Sequence, residues 1–325
     1  MGSSGGYSSF TRRSASVAGL AALLVGVLVA SALVGHAALR RRAHRAYRDS
    51  AATARLAPGT DLFGGLGSWV DIYEHSSFHN PESAVHRMAL HGVRTLYLET
   101  SNFRRDVPIK WPGREARFIE AAHAEGMKIV AWYLPGFVSV RFDFARVMKA
   151  VRFRTRSGQG FDGFALDIES PEVRSAAVRT RRLNLLSDKI RHAVGSAYPL
   201  GAIIPTPLGM RQNPTYWPGF PYGHLMADDQ AFLPMAYFTW RVSGARGAAR
   251  YTRACIDIIR TETGSANVPI HVIGGISNQS TTAEARAFVR TVRAKAVLGA
   301  SYYAFHGTTN GQWQALQPVR NLPSP

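Results

Sequence analysis

Phe161-Asp162-Gly163-Phe164-Ala165-Leu166-Asp167-Ile168-Glu169-Ser170 is an apolar run that ends in two acids. Phe164, Leu166 and Ile168 fall on one face of a period-two strand, and Ala165, Asp167 and Glu169 on the other. The two carboxylates therefore project the same way, into whatever that face lines. Charged side chains are seldom buried without a partner or a task. The pattern predicts a buried strand that delivers Asp167 and Glu169 to a site. The competing reading is a structural ion pair with an arginine of a neighbouring strand.

Outward from this strand the same texture repeats. Apolar runs suited to strands occur at 67–73, 95–99, 128–134, 163–169, 201–205, 232–238, 270–276 and 300–305. Stretches with helical spacing lie between them, at 82–91, 114–125, 143–154, 173–194, 248–261 and 282–294. The piece from 213 to 229 is rich in proline, glycine and aromatics and reads as a long loop with a short helix. Gly92, Gly126 and Gly299 stand where helices should stop before the next strand. Strands alternating with helices signal a parallel α/β fold. Eight units predict a closed (β/α)8 TIM barrel over 61–325, a chain length typical of that fold. No Gly-x-Gly-x-x-Gly follows the first strand, which removes support for a dinucleotide fold.

The 325 residues carry 39 lysines and arginines against 21 acids, a formal net charge of +18. Such a balance suits an anionic surface or polymer. No nucleic-acid motif accompanies it, and the arginines are spread over several helices, so no nucleic-acid partner is expected. The single cysteine, Cys255, lies in a helical pattern and excludes an internal disulfide. Residues 17–39 contain no charged side chain, after a basic region at 1–16 and before an arginine-rich linker at 40–60. That apolar stretch can be a signal peptide or a membrane anchor. Five arginines follow it closely and two precede it, which by the positive-inside rule would hold the barrel in the cytoplasm. The signal-like order of the leader instead favours export, giving an extracytoplasmic protein, anchored or secreted.

Barrel sites are built at the C-terminal ends of the strands. Those ends offer Asp71 after the first strand, Glu99 and Asn102 after the second, and Trp132 and Tyr133 on the third. They continue with Asp167 and Glu169, then Tyr237 and Trp240, Asn278, and finally Tyr303 and His306. Acids, amides and flat aromatics in one mouth are what carbohydrate binding requires, because rings cover the sugar's C–H faces while polar groups hold its hydroxyls. Each aromatic taken alone is as well explained by packing. His75, His79, His86 and His91 are strung along a loop and helix without strand-end support, so no metal is expected, nor any cofactor. No Gly-x-Ser-x-Gly elbow is present.

Residues 162–169 resemble the fourth-strand signature of glycoside hydrolase family 18, the chitinase-like barrels, whose pattern is Asp-Gly-x-Asp-x-Asp-x-Glu. Met235-Ala236-Tyr237-Phe238 is similar to that family's Met-x-Tyr-Asp. The chain also looks like secreted barrel glycosyl hydrolases of actinobacterial type. Two positions depart: Ala165 replaces an inner aspartate and Phe238 replaces an acid. The resemblance implies that Glu169 protonates the leaving glycosidic oxygen. It also implies that Asp167 orients a substrate acetamide whose oxygen attacks the anomeric carbon, with Tyr237 hydrogen-bonding that acetamide.

Loss of the acid at 165 leaves this relay incomplete and favours a two-carboxylate route, with Glu99 or Asp71 as partner of Glu169. Strand seven ends without a carboxylate, which disfavours a nucleophile there. The expected function is hydrolysis of a cell-envelope or extracellular polysaccharide by a monomer. The alternative is a non-catalytic, lectin-like carbohydrate-binding barrel.

Overall fold

The computed structural model describes residues 56–322. Eight parallel strands, β1 Gly65–Val70, β2 Thr95–Asn102, β3 Lys128–Leu134, β4 Gly163–Asp167, β5 Leu200–Ile204, β6 Ala231–Pro234, β7 His271–Ile276 and β8 Gly299–Tyr303, form one sheet. Its spatial order is β6-β5-β4-β3-β2-β1-β8-β7. Bridges from Phe232 to Ile270 and from Met235 to Ile273 join β6 to β7 and close the barrel. The helices are α1 His75–His79, α2 Pro81–Leu90, α3 Pro112–Ala124, α4 Val140–Val151, α5 Ala176–Val194, α6 Pro207–Gln212, α7 Tyr222–Asp228, α8 Gly244–Thr263, α9 Thr282–Ala294 and α10 Asn310–Leu316.

Both faces of the strands are buried, which is why they read as continuous apolar runs. One set, including Leu66, Leu98, Ile129, Phe164, Leu166 and Ile204, packs against the helices. The alternate set, including Trp69, Tyr97, Val130, Trp132, Ala165 and Leu233, fills the barrel. Ala165 sits level with Trp132, and Trp132 level with Glu99, across three adjacent strands. The inward face of β4 anticipated from the sequence is therefore the interior of the barrel, with Asp167 at its C-terminal end.

A buried polar chain braces the interior. Trp69 Nε1 donates to Ser301 Oγ at 2.7 Å, and Ser301 Oγ lies 2.9 Å from His271 Nε2. His271 Nδ1 lies 2.8 Å from the carbonyl of Phe63. Burial pushes the imidazole down to about 4, so His271 stays neutral there. Its Nδ1–H then donates to Phe63, and its Nε2 accepts from the serine hydroxyl. A Cβ at Gly299 would come within 2.4 Å of His271 Nδ1, and one at Gly67 within 2.8 Å of its Cε1. These glycines make room for the ring.

Several details differ from the sequence expectations. Gly92 and Gly126 do end helices with φ of 71° and 69°, but Gly299 opens β8, and Ala296 (φ 46°) takes the turn after α9. The 213–229 region is bordered by α6 and contains α7. β4 ends at Asp167 and β6 at Pro234, which leaves Glu169 and Tyr237 on the loops that follow. Among the described residues no helix is long and apolar enough to cross a membrane. The 17–39 segment lies outside the described residues.

Candidate active site

The mouth is assembled from β1, β2, β3, β4, β6 and β8 at their C-terminal ends. Asp71 follows β1 directly and is buried; its Oδ1 accepts the backbone N–H of Tyr73 at 2.8 Å. The hydroxyl of Tyr303, at the end of β8, donates to Asp71 Oδ2 at 2.6 Å. This bond ties the last strand to the first across the seam where they pair.

Glu99 is 2% exposed at the inward face of β2. The pairing of β2 with β3 shifts register between Glu99 and Ser101, a bulge of the kind that re-aims side chains near sites. With that extra residue, Glu99 and Asn102 face the mouth together, while Ser101 turns outward to meet Arg146. Asn102 Nδ2 donates to Glu99 Oε1 at 3.1 Å and to the Tyr73 hydroxyl at 3.0 Å. The backbone N–H of Ile72 donates to Glu99 Oε2 at 3.0 Å. Burial outweighs these two bonds and, with the nearby Asp71 charge, pushes the Glu99 carboxyl up to about 8.

On β4, Asp167 is buried and its Oδ1 has no hydrogen-bond partner. Burial first, then the neighbouring Glu169 and Glu99, holds its carboxyl well above the usual range. Glu169 stands exposed in the mouth, yet the surrounding protein mass still raises its carboxyl. Two like charges this close resist joint ionisation, so ionising one makes the other harder to ionise. Tyr237 is half-buried, and its hydroxyl is raised by burial and by Glu169, Asp167 and Asp71. Its ring lies 5.9 Å from that of Tyr303. Trp132 is buried with Nε1 unpaired and lies edge-on to Trp69 at 6.1 Å. A buried polar atom left without a partner asks for an explanation, and a bound ligand supplies one.

Beside these groups opens a cleft of about 310 Å³, lined by Glu169, Tyr237, Met235, Tyr216, Asn213 and Arg241 among others. Tyr216 donates its hydroxyl to the Glu169 carbonyl at 2.6 Å, which fixes the loop that carries the acid.

The mouth therefore gathers Asp71, Glu99, Asn102, Asp167, Glu169, Tyr237, Tyr303 and Trp132. Tyr133 corrects the expectation of a ligand-facing ring. It alternates with Trp132, is fully buried against the helices, and donates its hydroxyl to Asp143 at 2.8 Å. Trp240 is 77% exposed on the loop after β6. Asn278 and His306 are exposed in short turns after β7 and β8. Among the described residues these three share no hydrogen bond with the mouth carboxyls.

Trp69 and Arg241 were not anticipated. Trp69 has the same strand parity as Asp71, a signal within reach of the sequence. Arg241 sits in a loop where no periodicity applies. On the outer helical layer, Asp188, His224 and Asp228 bring one ligand atom each within 4.8 Å of one another, with His224 Nε2 3.0 Å from Asp188 and 3.4 Å from Asp228.

No family model matches the sequence, and no curated protein matches it. Solved structures do. The endo-beta-1,4-mannanase from Thermotoga petrophila superposes with a TM-score of 0.62 at 13% identity, covering 80% of this chain and 77% of that one. The chitinase from Chromobacterium violaceum ATCC 12472 gives 0.56 at 12% identity, over 80% of this chain and 100% of that one. The Bacillus cereus spore cortex-lytic enzyme SleL gives 0.59 at 10% identity, over 84% and 76%. At such identities the likeness establishes the fold. The chain is a (β/α)8 barrel of the architecture found in chitinases and mannanases, as its strand-four motif suggested.

Proposed function

We propose that this protein is a glycoside hydrolase of a cell-envelope or extracellular polysaccharide, with Glu169 as general acid. The observation that carries the reading is the pair on the β4 end, where a buried Asp167 with a free oxygen adjoins an exposed Glu169 of raised pKa. A carboxyl whose pKa is raised by burial holds its proton more readily than an ordinary glutamate, which is what protonation of a leaving oxygen needs. The barrel likeness to glycosidases is consistent with this, but fold alone does not assign chemistry.

The acetamide-assisted route is favoured over the paired-carboxylate route. Both oxygens of Glu99 are already engaged, Oε2 by the Ile72 N–H and Oε1 by Asn102, so it is poorly placed to attack or to act as base. Asp71 is committed to Tyr303 and to its own turn. Asp167 has an oxygen to offer. In this route the acetamide oxygen of a 2-acetamido sugar attacks C1 as the C1–O bond breaks, and Glu169 gives its proton to the departing oxygen. Asp167 accepts the acetamide N–H and steadies the positive charge of the cyclic intermediate, which water then opens. Tyr237 donates to the acetamide.

The 17–39 segment is proposed to export the barrel. A C-terminal reporter active only outside the cytoplasm supports this, and one active only inside contradicts it. The test of the function is a screen of the full-length chain, in mild detergent, against acetamido-sugar polymers with product analysis. New reducing ends are the expected product. Binding without cleavage favours the lectin-like alternative.

A further inference from the structure

We infer that the cleft beside Glu169 is a subsite for a sugar bearing a carboxylate, with Arg241 as the residue that selects it. The inference rests on the glycosidase reading of the same mouth and extends it to substrate class. Arg241 is the one cation lining this cleft and Glu169 the one acid. Among the described residues Arg241 pairs with no carboxylate, and its guanidinium makes no hydrogen bond. The other arginines close to this wall are already engaged. Arg211 pairs with Glu262 at 3.0 Å, and Arg179 is buried and donates to the carbonyls of Val173, Arg174 and Tyr216.

Arg241 is exposed, and its guanidinium lies near Gly209, where an added Cβ would stand 3.3 Å from its NH1. It therefore reaches the cleft wall with no carboxylate partner among the described residues. A planar guanidinium fork matches the two oxygens of a carboxylate. One cation balances a single negative charge, whereas a phosphate monoester, with nearly two, would call for more than the cleft supplies. Tyr216, Met210 and Met235 supply apolar surface for the ring that carries the acid group. The sugar's carboxylate can be a ring carboxyl, as in a uronic acid, or a lactyl ether carboxyl, as in muramic acid.

The test compares wild type, Arg241→Gln and Arg241→Lys as full-length chains in mild detergent. The substrates are strands of N-acetylmuramic acid with N-acetylglucosamine, hyaluronan, and the carboxyl-reduced form of each. Wild type should show a kcat/KM roughly tenfold or more higher on a carboxylated glycan than on its reduced form, the usual scale for a charge-assisted pair. The pair with the larger ratio identifies lactyl or uronic recognition. Arg241→Gln should bring that ratio near one, and Arg241→Lys should restore part of it. Equal ratios in wild type and Arg241→Gln overturn the subsite while leaving the hydrolase reading intact. If none of the four glycans is cleaved, calorimetric binding of the same four decides the subsite, while the broader polymer screen decides the hydrolase reading. A carboxylate preference lost in Arg241→Gln then supports it, and equal affinity, or no binding at all, overturns it.

Discussion

Asp167 and Glu169 lie two residues apart at the end of β4 and face the same mouth, the first buried with a free oxygen and the second exposed. Depth separates their tasks. The exposed carboxyl can reach a leaving oxygen, while the buried one can receive a single polar group of a bound substrate. Asp167→Asn keeps the shape but removes the acceptor charge that would steady a developing cation. It should lower kcat by about 10²-fold or more, whereas Glu99→Gln should cost less than about tenfold. Steady-state rates of both variants on one cleaved substrate check this. Comparable losses would return Glu99 to the role of catalytic partner.

Glu99 should also shape stability against pH. Its folded pKa of about 8 lies above the ordinary glutamate value, so the native chain holds a proton that the unfolded chain releases. The stability it contributes is full below about 4.5 and is lost as pH rises through about 8. Wild type should therefore weaken between pH 5 and 8 relative to Glu99→Gln, by an amount on the order of a few kcal/mol. Denaturant midpoints of the two proteins across that range measure the difference. Parallel profiles would show that Glu99 does not carry this linkage.

Restoring the acid that the chitinase-like signature has at position 165 should harm rather than help. Ala165 is fully buried in the barrel interior, level with Trp132. Ala165→Asp places a carboxyl there, one inward position below Asp167. A loss of about 2–4 kcal/mol is expected, read as a lower Tm by thermal melting, since the new group is buried without a charge partner. An unchanged Tm would mean that the interior has room and water for a further acid.

The eight strands were legible because each is buried on both faces, and a continuous apolar run between turn signals survives without knowledge of its neighbours. The inward parity of Ala165 and Asp167 followed from period two, whereas Glu169 stands on the loop just past the strand's end. The same rule separates Trp132 from Tyr133, but choosing which ring faces inward needs the register with Ala165, which only pairing supplies. Glu99 and Asn102 share the mouth through a bulge that no local pattern announces. Trp240 and His306 stand on loops, where proximity in sequence to a strand end says little about direction. Arg241 went unnoticed beside Trp240 for the same reason. Its place in the cleft and its lack of an ion-pair partner among the described residues are products of tertiary packing.

The central claim is that Glu169 gives the proton that breaks the glycosidic bond, and a single substitution tests it most directly. Glu169→Gln preserves size and hydrogen-bonding capacity while removing the titratable proton. On any polysaccharide that wild type cleaves, kcat should fall by about 10²-fold or more, with calorimetric affinity for the intact glycan little changed. Turnover equal to wild type would contradict the account and leave the mouth without its acid.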